Sequence, residues 1–198
     1  MLTLLLPVTR DWTMESVCRA IAASDIPRER CILILDAPGC EAWEGALTEL
    51  GFQVETHVTG NGPPPEYWLE RRPRHRAMRR LTQRLVPDGP LLCLEDDTIV
   101  PRDVFSRLSA AGPNACGVQV GRRESRRVGV SMPKSRRGVS PVRACGHYCL
   151  LTTGEAYRAA VILDAGPPDA GHTSQIRPLV VDWECICGHL TEAGVLYP

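Results

Sequence analysis

No stretch of this chain is apolar for long. The longest runs, Leu2–Val8 and Cys31–Leu35, fall far short of the roughly 20 residues a membrane-spanning helix needs. The N-terminus also lacks the basic start and small-residue cleavage site of a secretory signal, so a cytoplasmic protein without a membrane span is expected. No internal repeat is visible, which excludes a solenoid. Net charge is absent too, with 23 basic and 23 acidic residues. Cysteine, by contrast, is plentiful. Nine cysteines, an odd number with no secretory signal, fit reduced and mostly buried thiols better than a disulfide framework. A length of 198 residues suits one domain that buries roughly 70% of its unfolded surface.

The zero net charge conceals an asymmetry. Residues 71–143 hold 17 Lys and Arg against 6 Asp and Glu, and the remainder holds 6 against 17. So basic a middle third suggests an anionic partner, either a diphosphate or a polyanion. Pairing between the two sets within the molecule is the alternative.

The apolar pattern alternates between two periods. Leu2–Val8 and Cys31–Leu35 are continuous runs, as in strands buried on both faces of a parallel sheet. Phe52–Val58 alternates and predicts a third strand, Pro90–Leu94 a fourth, and Ala115–Val120 and Tyr148–Thr152 two more. Helices are expected over Thr13–Ala23, Glu41–Leu50, Tyr67–Val86 with an interruption near Pro73, Val104–Ala110, Thr153–Ile162 and Asp182–Glu192. Gly166–Thr173 is expected to be a loop, and Arg122–Arg143 a mobile loop or loose hairpin. Strands alternating with helices imply right-handed crossovers and a mainly parallel α/β sheet flanked by helices. Ligands bind such sheets beyond the carboxyl ends of the strands. Arg10, Asp36 and the run Glu95-Asp96-Asp97 all fall at strand ends of that kind.

Three successive acids at the end of an apolar strand repel one another unless a cation sits among them. Hard divalent ions take carboxylate oxygens and commonly share their sphere with phosphates. Mg²⁺ or Mn²⁺ there would clamp a diphosphate and stabilise it as a leaving group. A solvated acidic turn is the plainer reading.

The run Leu91–Pro101, with Glu95-Asp96-Asp97 at its centre, resembles the DXD strand of GT-A-fold glycosyltransferases, in particular the family-2-like group. Glu in place of the first Asp is a departure from that pattern. The resemblance implies a single GT-A-like (Rossmann-like) domain, with residues 1–100 binding a nucleotide-diphospho-sugar, UDP favoured, and 101–198 the acceptor. By resemblance Asp97 is a metal ligand, and Glu95 or Asp96 faces the donor's ribose or sugar. Pro7, Thr9 and Arg10 end the first strand under the base, and Asp36 holds base or ribose. Arg76, Arg79 and Arg80 lie where the family places a basic donor-binding turn, with Arg76 or Arg80 balancing phosphate charge. The segment Val181-Asp182-Trp183-Glu184 resembles the one that bears the catalytic acid of inverting members, which makes Asp182, or else Glu184, the base for an acceptor hydroxyl. His189 stands near the family's basic residue and is expected to reach the diphosphate or the metal.

Arg122, Arg123, Arg126, Arg127, Lys134, Arg136, Arg137 and Arg143 exceed what one diphosphate needs. They suit a nucleic-acid acceptor, such as a modified base in viral DNA, through phosphate contacts. Two rival functions use part of the same pattern. A nucleotidyltransferase also carries paired acids on an α/β sheet, but would usually have a Gly-rich loop where Pro7–Asp11 stands. A non-catalytic nucleic-acid-binding module would have no use for the acids. Finally, Cys145-x-His147-x-Cys149 and Cys185-x-Cys187-x-His189 offer soft ligands for zinc, at spacings unlike those of common zinc motifs.

Overall fold

The computed structural model describes residues 1–63, 68–119, 137–162 and 168–196. Its strands are β1 Thr3–Val8, β2 Arg30–Leu35, β3 Gln53–Val58, β4 Pro90–Leu94, β5 Thr98–Ile99, β6 Ala115–Gln119, β7 Val139–Pro141, β8 Cys149–Thr153, β9 Val180–Thr191 and β10 Gly194–Leu196. Its helices are α1 Met14–Ala23, α2 Ala42–Glu49, α3 Trp68–Leu85, α4 Val104–Ala111, α5 Gly154–Ala159 and α6 Pro168–Thr173.

The main sheet runs β10-β9-β6-β8-β4-β1-β2-β3. β3, β2, β1 and β4 are mutually parallel. β8 runs against both β4 and β6, while β6 and β9 are parallel. The sheet is therefore mainly parallel, as expected, and strands from both halves of the chain share it. Alternation along each strand divides the core into two layers. Leu4, Leu6, Val8, Leu33 and Leu92 pack toward Val17 of α1, Trp43 of α2 and Leu108 of α4. Leu5, Ile32, Ile34, Leu91 and Cys93 pack toward Met78 of α3 and Tyr157 of α5. Gly154 opens α5 where a Cβ would lie 1.7 Å from the Pro87 carbonyl oxygen, so only glycine admits that approach of helix to turn.

Several local expectations are corrected. Residues 182–192 are not a helix but most of β9. Glu184 and Ile186 are exposed between buried neighbours, a period of two that outweighs the terminal acid and Gly194. α3 continues through Pro73. Thr13, which the sequence offers as the cap of the first helix, stands at the N-cap of α1 without a capping bond from its side chain. Thr153 does cap α5, accepting from the Ala156 N–H. Pro168–Thr173 is helical rather than looped. Of the basic segment, residues 122–136 lie outside the described residues, while Val139–Pro141 pairs with β9. Among the described residues no helix is long and apolar enough to cross a membrane.

The helix that follows the acid run is capped from a distance. Asp25 accepts from the backbone N–H groups of Phe105 and Ser106, each at 2.8 Å. Its modest burial raises its pKa, but these bonds outweigh that and hold it below the usual carboxylate range. A depressed pKa adds stability that is present above the unfolded value and is lost as pH falls through the folded one. Asp25→Ala is expected to cost about 1 kcal/mol at pH 7 in urea unfolding. The gap should narrow below about pH 4, and a gap independent of pH would contradict the capping role.

Candidate active site

Two acids stand at the carboxyl edge of the parallel strands. Asp36 follows β2 directly, and its own N–H donates to the Val8 carbonyl at 2.8 Å. Its carboxylate is buried. Oδ1 accepts from Thr59 Oγ1 and Asn61 Nδ2, both at 2.7 Å. Oδ2 accepts from Arg74 Nε at 2.6 Å. Asp96 follows β4 and is buried as well. Its Oδ2 accepts from the Thr9 N–H at 2.6 Å and the Thr9 hydroxyl at 3.0 Å, and Oδ1 pairs with the Arg10 guanidinium. Arg10 is steadied in turn by the indole N–H of Trp43, which donates to its carbonyl at 3.0 Å.

These contacts set the protonation equilibria. Burial pushes the Asp96 pKa up and the neighbouring charge of Asp97 adds to that, against the opposing pull of Arg10 and Thr9. Burial would lower Arg10, yet Asp96, Asp97 and Glu95 together leave it raised. Arg10 is thus a firmly cationic partner of the acid run.

Asp97 is where the two halves of the chain meet. Its Oδ2 lies 3.3 Å from Arg10 Nη1 and 3.4 Å from His189 Nε2. The backbone brings His189 there: β5 pairs with β9 with Thr98 opposite His189, and the Leu190 N–H donates to the Asp97 carbonyl at 2.8 Å. The strand, not a helix face, therefore delivers the imidazole. A carboxylate oxygen and an imidazole nitrogen at this spacing could hold one divalent cation that takes its other ligands from phosphate and water. The mixed set suits Mn²⁺ better than Mg²⁺, which prefers oxygen throughout. Glu95 pairs with Arg79 at 3.3 Å, the latter almost fully buried.

An open cleft lies beside these groups, lined by Pro7, Thr9, Arg10, Asp36, Glu95 and Asp96 from the sheet edge; Asp97 and His189 adjoin it through Arg10 and do not line it. Across from that edge α3 presents Arg71, Arg74, His75, Met78 and Arg79. Those five follow the i, i+3, i+4, i+7, i+8 stripe of one helix face. Of the three arginines picked out from sequence, Arg79 belongs to this stripe, whereas Arg76 and Arg80 fall on the other side of α3. The stripe could have been found by applying helical spacing to the whole basic run.

Asp182 and Glu184 are placed elsewhere. Asp182 lies opposite Val139 of β7, at the end of β9 remote from His189. Its Oδ2 is 3.6 Å from Arg107 Nη1, and Glu184 lies 3.4 Å from the same nitrogen. The structure does not bring this pair to Asp97. The helix N-terminus that was expected to hold a base is absent, and the expectation of inversion loses the residue it rested on.

No family model matches the chain, and no curated protein is similar in sequence. Solved structures are similar in fold. The Staphylococcus aureus TarS fragment 1–349, in complex with UDP-GlcNAc, superposes with a TM-score of 0.60 at 8% identity, over 91% of this chain and 55% of that one. The mannosyltransferase PcManGT of Pyrobaculum calidifontis, in complex with GDP-Man and Mn²⁺, gives 0.55 at 12% identity, over 98% and 58%. The nucleoside-diphosphate-sugar pyrophosphorylase of Vibrio cholerae gives 0.51 at 13%, over 92% and 90%. The chain thus spans little more than half of the two glycosyltransferase chains. The chain shares the fold of these structures, which is of the GT-A type.

Asp96→Ala is expected to destabilise the fold by roughly 3 kcal/mol, because it removes the nearer of the two carboxylates that neutralise the half-buried guanidinium of Arg10 and leaves the Thr9 amide and hydroxyl without their acceptor. Urea unfolding would measure it, and a loss below about 1 kcal/mol would mean that the pair is effectively solvated.

Proposed function

We propose that the protein is a glycosyltransferase that takes a sugar from a nucleotide-diphosphate donor and passes it to an acceptor hydroxyl. The observation that carries the reading is the convergence of Asp97 and His189 beside a cleft rich in arginine, on a GT-A-type sheet. In this reading the nucleoside lies between the ends of β1 and β2. Asp36 accepts a hydrogen bond from base or ribose, with Thr59 and Asn61 holding the carboxylate in place. Asp97 and His189 would hold Mn²⁺ or Mg²⁺, which when bound supplies charge stabilisation to the departing diphosphate. Arg71, Arg74 and Arg79 line the cleft beside that pair and would add positive charge to the phosphate side. Arg10 exchanges Asp97 for phosphate oxygen as the donor enters. UDP is the favoured nucleotide, GDP the next to try.

The acceptor side draws on the basic residues between Arg122 and Arg143. A nucleic-acid acceptor, such as a modified base in DNA, fits their number and their lack of aromatic companions, since phosphate contacts need charge and not stacking. A glycan or small molecule is the other choice. A nucleotidyltransferase is less well supported, because Pro7–Asp11 does not form the Gly-rich phosphate loop such chemistry usually employs.

Asp97→Ala and His189→Ala are each expected to abolish Mn²⁺-dependent thermal stabilisation by UDP or GDP. Both should lower hydrolysis or transfer of the matching nucleotide sugar by about 100-fold or more, as loss of several kcal/mol of metal stabilisation requires. Full metal-dependent stabilisation in both variants would overturn the assignment. Exchange of pyrophosphate into a nucleoside triphosphate, with no sugar transfer, would favour the nucleotidyltransferase.

A further inference from the structure

The site described above uses none of the nine cysteines, all of which are free thiols. The two trios suggested by sequence do not form. His147 Nε2 meets His172 Nδ1 at 3.0 Å, and His189 meets Asp97. The fold assembles a different trio instead. The sulfurs of Cys149, Cys185 and Cys187 lie within 4.8 Å of one another, all three buried. Cys149 opens β8, and Cys185 and Cys187 are two residues apart on β9. β6 runs between those two strands.

Gly117 of β6 is what allows the sulfurs to meet. A Cβ there would lie 3.1 Å from the sulfurs of both Cys185 and Cys187, and 2.8 Å from the Cys185 carbonyl oxygen. Gly117 is not among the glycines with positive φ, so backbone conformation does not call for glycine at this position. The space above it does. An irregular stretch of β9 also contributes. Val181 and Trp183 belong to the layer under α3 and α5, whereas Cys185 and Cys187 belong to the opposite layer. In a regular strand these odd-numbered residues would share one face. The register shift between Cys116 and Val118 turns the two cysteines toward Cys149.

We propose that Cys149, Cys185 and Cys187 form a three-thiolate site for one thiophilic cation, Zn²⁺ first and Cu⁺ second, that ties β8 to β9 across Gly117. Zn–S bonds of about 2.3 Å place the sulfurs of one ion about 3.8–4.0 Å apart, so closure asks for a contraction of less than about 1 Å. Soft sulfur donors select such ions over Mg²⁺ and Mn²⁺, and the site does not compete with Asp97 for a hard ion. An ordinary thiol is protonated at neutral pH. Binding therefore exchanges three S–H protons for one ion: Zn²⁺ and three thiols give a trithiolate of net charge −1 and three protons. Cu⁺ would leave −2, and buried net charge is costly, which ranks the divalent ion first.

The test uses the full chain, purified with reductant, stripped with chelator and titrated with Zn²⁺ and, separately, Cu⁺. One ion per chain should bind, with three protons released and a rise in unfolding temperature. Cys149→Ser and Cys187→Ser should weaken binding by at least about 100-fold, while Cys31→Ser and Asp97→Ala keep it. The Asp97→Ala arm separates this site from the proposed donor site, so either can fail alone. Wild-type protein that retains no ion through gel filtration and releases no protons would overturn the proposal. So would wild-type affinity in both serine variants, or a disulfide among the three cysteines in place of bound metal. Should the serine variants fail to fold, the wild-type titration decides alone.

Discussion

Carboxylates at the carboxyl edge of a parallel sheet are buried in this protein, and each is matched by a cation or by hydrogen-bond donors from a different element. Asp96 takes the Thr9 amide and hydroxyl and the Arg10 guanidinium, all from the loop after β1. Asp97 takes Arg10 again and His189 from β9. Asp36 takes Thr59, Asn61 and, from α3, Arg74. Desolvated charge is tolerated only when compensated. The loop after β1, the helix α3 and the strand β9 are therefore held together by the acids they serve. The same interactions keep the cleft open and lined with opposite charges on its two sides.

That arrangement suits exchange. In the absence of ligand, Arg10 and Arg74 neutralise the acids from within the chain. A diphosphate accompanied by a divalent ion brings its own cation to Asp97 and its own anion to the arginines. The net charge of the cleft would then change little if such a donor entered, and little desolvated charge would be left unmatched. This is the physical sense of the proposed transferase reading, and it rests on interactions made by this chain's own residues.

Much of the fold could be read from sequence because its first half obeys simple periods. Leu2–Val8 and Cys31–Leu35 are continuous apolar runs, and they are buried strands. The acid run could be found for the same reason: an apolar strand that stops at three carboxylates has few plain explanations. His189 was picked out as a ligand on a mistaken helix, and it reached Asp97 by way of a strand. Asp182 went astray at the same point. An acid before an apolar stretch and a glycine after it imitate the two ends of a helix. Only the exposure of Glu184 and Ile186 between buried neighbours speaks for a strand. The face reversal between Trp183 and Cys185 has no local signal at all, because it depends on how β6 lies alongside. The three-cysteine cluster was hidden for that reason. The lining of α3 was hidden differently: eight arginines and histidines stand close together there, and only the full helical stripe separates Arg71, Arg74, His75 and Arg79 from Arg76 and Arg80.

The most direct measurement is a crystal structure of the protein soaked with Mn²⁺ and a nucleoside diphosphate, with the ion located by its anomalous signal. One ion is expected about 2.0–2.3 Å from Asp97 Oδ2 and His189 Nε2, with Arg10 moved from Asp97 to phosphate oxygen. An ion bound away from both residues, or a nucleotide seated while the Arg10–Asp97 pair stays intact, would contradict that expectation.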